Sequence, residues 1–301
     1  MIKQIIGKLI VLNLRNFLKK KKIFIFKPEY SIVNDQYVGN INISNSTTPK
    51  VSGTLWCSKA NREEEKGKLE NLIKDEGKKI LLIILESPHI EEFESKIIPP
   101  SPALGSTGTN LQDDLITNLD CFINNGGQIP CGDYKVILSN AIQFQASFGY
   151  CTEMFRDRCW LMMWLLDGRQ GFINRIKGYN PDVILNACTK GSHKCDPFFK
   201  SAAYINIAYL TDIDSLITQA PNSAMLNYTN NMMIYDPIYL GAKPQALRSK
   251  HYLLRGFVMT AIKEAFPNNP PSPLYLHSAH PSSAHFKNSK GLKNPIRNTF
   301  F

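Results

Sequence analysis

Lys78 to Glu92 reads Lys-Lys-Ile-Leu-Leu-Ile-Ile-Leu-Glu-Ser-Pro-His-Ile-Glu-Glu, an aliphatic run from Ile80 to Leu85 that stops abruptly at Glu86-Ser87-Pro88-His89. An apolar run without alternation suits a strand covered on both faces, as in the middle of a parallel sheet. In open α/β sheets ligands sit beyond the carboxyl ends of the central strands. A carboxylate, a proline-stiffened turn and an imidazole arrive at such an end together here. By itself an acidic residue after a strand serves equally well as a cap or a solvated turn residue, so the function must be read from what else the chain brings to this place.

Working outward, Tyr134 to Ile142 is a second apolar strand with Asn140 near its end, Pro181 to Ala187 a third, and Pro273 to His277 a last short one. The intervening pattern is helical. A helix is expected from Asn110, with Leu111, Leu115, Leu119, Phe122 and Ile123 on one face, a long one over Phe155 to Ile176, and another over Lys250 to Phe266. Strands alternating with helices give a parallel sheet with helices on both faces. Residues 23 to 57 read as β-rich, with Ile23 to Phe26, Tyr37-Val38, Ile41 to Ile43 and Thr54 to Trp56 separated by turn residues, and residues 61 to 76 as a charged helix. The chain therefore divides into a basic, β-rich N-terminal extension, 1–60, and a main α/β domain, 61–301, in which 196–249 reads as an aromatic-rich insertion.

The 301 residues are 43% hydrophobic, enough for a full core. Net charge is +10 and the pI about 9.2, which points to a polyanionic partner, nucleic acid being the commonest, although basicity alone also serves solubility. Seven cysteines, scattered and odd in number, suit reduced thiols in a cytoplasm. The apolar stretch Leu9 to Leu14 is too short to span a bilayer, and the charge of Lys19 to Lys22 follows it where a signal peptide would carry it in front, so neither a membrane span nor a secretory leader is expected. The glycines of 105–108 are followed by no Gly-Lys-Ser/Thr, which sets a phosphate-binding loop aside.

Three of these elements, in order, resemble the signature motifs of the uracil-DNA glycosylase superfamily: a strand closing in Glu86-Ser87-Pro88-His89, a strand closing in Leu138-Ser139-Asn140-Ala141, and a late strand followed by His280-Pro281-Ser282-Ser283. Gly105 to Leu111 is also similar to that family's segment between the first motif and the helix after it. The resemblance spans roughly residues 78 to 290 in motif order. It implies a three-layer α/β/α fold with a central, mostly parallel four-stranded sheet. It further implies Glu86 acting on water, Asn140 reading a flipped base, and His280 as the catalytic histidine.

The residue types suit that chemistry. Cleaving an N-glycosidic bond passes through a sugar with oxocarbenium character and a base that departs as an anion. Glu86 supplies the negative group, stabilising the cation and orienting water. A neutral His280 aimed at a carbonyl oxygen of the base stabilises charge that exists only in the transition state. Asn140 pairs with a base edge, a role for which Ser87, His89 and Leu104 are further candidates. Pro88, Ser282, Ser283, His285 and Lys287 are candidates for gripping DNA backbone. The partner is then DNA, expected to be double-stranded with one base flipped out, bound by a monomer without a cofactor. No lysine adjoins the motifs to form a Schiff base, so a monofunctional hydrolysis is expected.

The departures bear on substrate. The best-known uracil enzymes have Gln-Asp-Pro-Tyr where this chain has Glu86 to His89, and the glutamate is more like the thermophile-type motif Gly-Glu-Ala-Pro-Gly. The aromatic expected to stack on uracil is replaced by Pro102, Ala103 and Leu104. Loss of both bulky groups predicts a site for a larger, modified base, such as a bulky cytosine derivative of phage DNA. The alternatives are a repair enzyme for uracil or a deaminated base, and an inactive nucleic-acid-binding module of the same fold. Asn140 could instead only close its strand. His277, His280 and His285 lack carboxylate or cysteine neighbours for a metal, Cys188, His193 and Cys195 are a thin suggestion of zinc, and a single cysteine, Cys57, ahead of the first motif argues against an iron-sulfur cluster.

Overall fold

The computed structural model describes residues 32–64, 77–93, 99–146, 160, 163–164, 168–189, 253–267, 273–287 and 296–298. The chain is mixed α/β. One sheet of seven strands runs through it in the order β2-β1-β4-β3-β5-β6-β7. Its strands are β1 Gln36–Ile43, β2 Val51–Leu55, β3 Lys79–Leu85, β4 Gly132–Asn140, β5 Val183–Asn186, β6 Leu274–Ser278 and β7 Ile296–Asn298.

The aliphatic run forms β3 at the middle of the sheet, parallel to β4 on one side and β5 on the other, with β6 parallel to β5. Successive side chains of a strand point to opposite faces, so a run with no polar residue has to be covered twice. Leu82 and Ile84 pack on one side with Ile137, Ile184, Phe172 and Ile176 of helix α3 (Arg169–Tyr179) and Val258 and Ile262 of helix α4 (Leu253–Ala265). Leu81, Ile83 and Leu85 pack on the other with Leu111, Leu115 and Leu119 of helix α2 (Ser106–Asn124). Leu82, Ile83 and Ile84 are fully buried, each worth about 1.5–3 kcal/mol of transfer free energy. Helices thus pack on both faces of the sheet, in keeping with the α/β reading.

Three strands extend the sheet beyond the parallel four. β1 pairs antiparallel with β4 and with β2, and β7 pairs antiparallel with β6, so the sheet is mixed and wider than the four strands expected. The stretches Tyr37-Val38 and Ile41 to Ile43 are one strand, because Gly39 takes φ +143° and carries the chain through without a turn. Val38, Ile41 and Ile43 join the same core as Leu81 and Ile83. β7 carries only three residues, too few for a pattern to be visible in sequence.

Among the helices, α2 begins at Ser106, four residues before the expected start, and α1, Lys59–Glu64, begins two residues before the charged segment expected from 61, of which 65–76 lie outside the described residues. The helix expected over Phe155 to Ile176 is described continuously only as α3, which runs on to Tyr179, and Phe155, Cys159, Met162 and Leu166 lie outside the described residues. So do Ile23 to Phe26, Lys19 to Lys22 and all of 196–249. No helix among the described residues is long and apolar enough to cross a membrane.

Candidate active site

The four parallel strands occur in chain order β3, β4, β5, β6 but in space as β4-β3-β5-β6. The chain leaves β3 to one side for β4 and returns to its other side for β5, so the crevice where connections diverge lies beyond the carboxyl end of β3, where α/β proteins place ligands. Glu86 is the first residue past that end. The strand tips are knit there by backbone bonds: Ala141 N–H donates to Leu85 O at 2.8 Å, Ile142 N–H to Glu86 O at 3.1 Å, and Ala187 N–H to Ile84 O at 2.9 Å.

Glu86 is 6% exposed. Its Oε2 accepts the backbone N–H of Thr189, just past β5, at 3.2 Å, and lies 3.3 Å from Nε2 of His280, which arrives from the end of β6. The indole N–H of Trp160 donates to the Glu86 carbonyl at 2.7 Å and fixes the backbone beneath it. Two residues from opposite ends of the main domain are thus in contact at the switch point.

The other side of the imidazole determines its tautomer. Ser282 N–H donates to His280 Nδ1 at 3.2 Å, and the Ser282 hydroxyl lies 2.7 Å from the same nitrogen. A nitrogen that accepts a backbone N–H carries no proton, so the neutral ring holds its proton on Nε2, the atom facing Glu86. The loop is fastened from below by α2: Asn110 Nδ2 donates to Pro281 O at 2.9 Å and Asn118 Nδ2 to Phe286 O at 3.1 Å, with the Phe286 side chain fully buried. The short helix α5 (Ala284–Lys287) follows.

Asn140 closes β4 and is fully buried. Its Nδ2 donates to Glu92 Oε2 at 3.4 Å, while its Oδ1 has no hydrogen-bond partner. Arg175 of α3 donates to the Asn140 carbonyl at 2.6 Å and bonds Asp35 at 3.0 Å, clamping the strand tip to the segment ahead of β1. Glu92 stands on a short 3-10 turn, Ile90–Phe93, that turns Glu91 to solvent and Glu92 inward. Burial pushes its carboxyl up to about 8, against the opposing pull of the Ala103 and His89 backbone N–H groups, the Arg62 guanidinium and the Asn140 amide. Arg62, 1% exposed, donates to Pro102 O and so ties the loop 99–105 to the same cluster. Ala103 in that loop takes φ +59°, an uncommon conformation for a residue with a side chain. Cys57, beside Arg62, is pushed up to about 12 by burial, which leaves an unreactive thiol.

Of the remaining candidates, Ser87, Pro88 and Leu104 are buried, and the Ser87 hydroxyl has no partner. His89 is partly exposed and accepts the N–H of Glu91 through Nδ1 at 3.3 Å, so it is engaged locally. Ser282, His285 and Lys287 are exposed, Ser283 is partly so with its hydroxyl unpartnered, and Lys287 lies close enough to Asp114 of α2 to act on it electrostatically. Unpartnered hydroxyls therefore follow three parallel strands, at Ser87, Thr189 and Ser283, and the unpartnered Asn140 oxygen ends the fourth. Buried polar atoms are normally satisfied, and these four lie together past the carboxyl ends of the parallel strands.

Glu92, Thr189, Arg62 and Arg175 were not visible in the sequence as site residues. Glu92 is one of a Glu91-Glu92 pair, and only the 3-10 turn separates the inward from the outward one. No group of three or more metal-ligating side chains occurs among the described residues, and His193 and Cys195 lie outside them. In comparison with known proteins, no family model, no curated protein and no solved structure matches the chain.

Proposed function

We propose that the chain is a monofunctional DNA glycosylase of the uracil-DNA glycosylase type, acting on a modified base, with bulky cytosine derivatives of phage DNA as the leading substrate class. The observation that carries the reading is the contact of Glu86 with a His280 whose tautomer is held by Ser282. The spatial order of the four parallel strands and the sequence motifs at three of their ends support it, and the +10 net charge suits a DNA partner. In this mechanism the Glu86 carboxylate orients a water and takes its proton as the oxygen bonds to C1′. The C1′–N bond breaks, and its electron pair leaves with the base. The Nε2–H of His280 turns from Glu86 to the base's carbonyl oxygen and stabilises the anion, which then takes up a proton. The product is free base and an abasic sugar.

The test is abasic-site formation, read with an aldehyde-reactive probe, on uracil-containing duplex, unmodified genomic DNA and phage DNA carrying hydroxymethylated or glucosylated cytosine. Signal on the phage DNA, lost in Glu86→Ala and His280→Ala, is expected. Signal on uracil alone would return the chain to ordinary repair, and silence on all three with DNA binding intact would make it a binding module.

A further inference from the structure

Resting on that glycosylase reading, we propose that Arg255 of α4 is a positioning residue for Glu86: its guanidinium holds the carbonyl end of the peptide joining Cys188 to Thr189, and so turns the amide end of the same peptide onto the Glu86 carboxylate. Arg255 is 7% exposed, and its Nε and Nη2 donate to Cys188 O at 2.9 and 2.6 Å. The N–H across that peptide, that of Thr189, donates to Glu86 Oε2 at 3.2 Å. A peptide is planar and trans, with its C=O and N–H pointing to opposite sides, so whatever fixes one end fixes the aim of the other. A guanidinium is always charged, and bonds from a charged donor are roughly twice as strong as neutral ones. Drawing electron density to the carbonyl oxygen also strengthens the N–H as a donor, by roughly 10–30% per bond in a chain of this kind.

The bonds around it fasten the chain up to this peptide. Ala187 N–H donates to Ile84 O at 2.9 Å and Cys188 N–H to Asn186 Oδ1 at 3.1 Å. Nδ2 of the same asparagine donates to the Arg255 carbonyl at 3.3 Å and the Tyr275 hydroxyl at 3.0 Å, which joins the tip of β5 to the first turn of α4. The rotation of the 188–189 peptide is what Arg255 then sets. Turned over, that peptide would put its carbonyl oxygen against the carboxylate, two acceptors facing each other. The hold matters most during the reaction. At rest, Thr189 N–H and His280 Nε2 both address Glu86 Oε2. When His280 turns to the base, the Thr189 amide still holds that oxygen while water attacks. Arg255 acts through the peptide and touches neither water nor base.

The first experiment reads the bond itself by NMR and needs no turnover. With 13C in the cysteine carbonyls and 15N in threonine, only the amides of Thr152 and Thr189 follow a labelled cysteine, and Thr189→Ser assigns the pair by removing one signal. The Thr189 amide proton should move upfield when Glu86→Ala removes its acceptor, and upfield again in Arg255→Met; Arg255→Lys, which offers a compact ammonium in place of the fork, should fall between. An unmoved Thr189 signal in Arg255→Met would overturn the proposal whatever the activity. The second experiment is single-turnover base release, with protein in excess, from phage DNA carrying hydroxymethylated or glucosylated cytosine. Arg255→Met should lower the maximal rate about tenfold or more, leave the half-saturating protein concentration within about twofold, and be partly rescued in Arg255→Lys. A maximal rate unchanged although the signal has moved, or a loss confined to DNA binding, would refute the role in placing Glu86. If Arg255→Met does not fold, Arg255→Lys carries both measurements, with shifts in the same directions expected and their absence overturning the proposal. No release by the unaltered protein would remove the glycosylase reading itself, an outcome distinct from a Thr189 signal that fails to move.

Discussion

The bond from Asn110 to Pro281 offers the sharpest check on how the site is held. Pro281 follows His280 directly, it is buried, and its carbonyl accepts from Asn110 Nδ2 at 2.9 Å. Asn110→Ala removes the donor and leaves the carbonyl without a partner in a place water does not easily reach. That costs about 1–3 kcal/mol, more than the net worth of the bond itself. At about 2–4 °C per kcal/mol for a domain of this order of size, the melting temperature should fall by roughly 2–12 °C. Asn110→Asp should be worse, since it sets a carboxylate oxygen against the carbonyl. Because the lost tie adjoins His280, abasic-site formation per folded molecule should fall by about tenfold or more, the equivalent of about 1.4 kcal/mol of misplacement. Calorimetry and the aldehyde-probe assay on the same preparations give both quantities. An unchanged melting temperature would refute the bond, and a lowered one with an undiminished rate per folded molecule would refute its role in placing His280.

Three further outcomes follow from the same geometry. Ser282→Ala deletes the hydroxyl 2.7 Å from His280 Nδ1 but keeps the backbone N–H at 3.2 Å, so abasic-site formation should drop only about 2–10-fold with no change in melting temperature, and a loss as deep as that of His280→Ala would contradict it. Glu92 is held up to about 8 by burial, above its unfolded value of 4.5, so its contribution to stability is complete below about pH 4.5 and is lost as pH rises towards 8, at up to about 1.4 kcal/mol per pH unit. Urea titrations at pH 5 and pH 8 should show a smaller loss in Glu92→Gln, which has no proton to give up, and equal losses would remove the premise. Gly108→Ala would drive a Cβ into the backbone carbonyls of Ala103 and Cys57, so helix or loop must shift, at a cost of about 1–3 kcal/mol measured in urea, and a neutral result would show that these carbonyls do not lie against α2 at Gly108.

The parallel core was legible because its strands are buried on both faces, and an uninterrupted run such as Ile80 to Leu85 has few other readings. Legible too was the placement of Glu86, Asn140 and His280 at or just past strand ends, since each follows an apolar run within a few residues. The partners that orient them were not. Thr189 contributes a backbone N–H, Trp160 and Arg175 act on carbonyls, and such bonds leave no residue-type signature. Asn110 and Asn118 sit inside a helix, where asparagine has low propensity, and this is a signal that was there to be used. β7, with three residues, lies below the length at which periodicity means anything.

The N-terminal strands show why a boundary drawn on composition says little about a site. Were β4 an edge strand, Asn140 would end it at the rim of the sheet with water on one side, and its amide would have no fixed orientation. β1 pairs along β4 from Gln36 opposite Leu138 to Ile43 opposite Gly132, and ends two residues short of Asn140. Asp35, the residue just ahead of β1, holds Arg175 against the Asn140 carbonyl, and Arg62, a few residues past β2, lies close enough to Glu92 to act on it electrostatically. The backbone of Asn140 and the acid that orients its side chain are therefore both secured by residues 35–62. If Asn140 reads the base, its selectivity resides in that hairpin as much as in the motif. Asp35→Ala removes the carboxylate that holds Arg175 beside the Asn140 carbonyl and should lower the melting temperature in calorimetry, an unchanged value refuting the clamp.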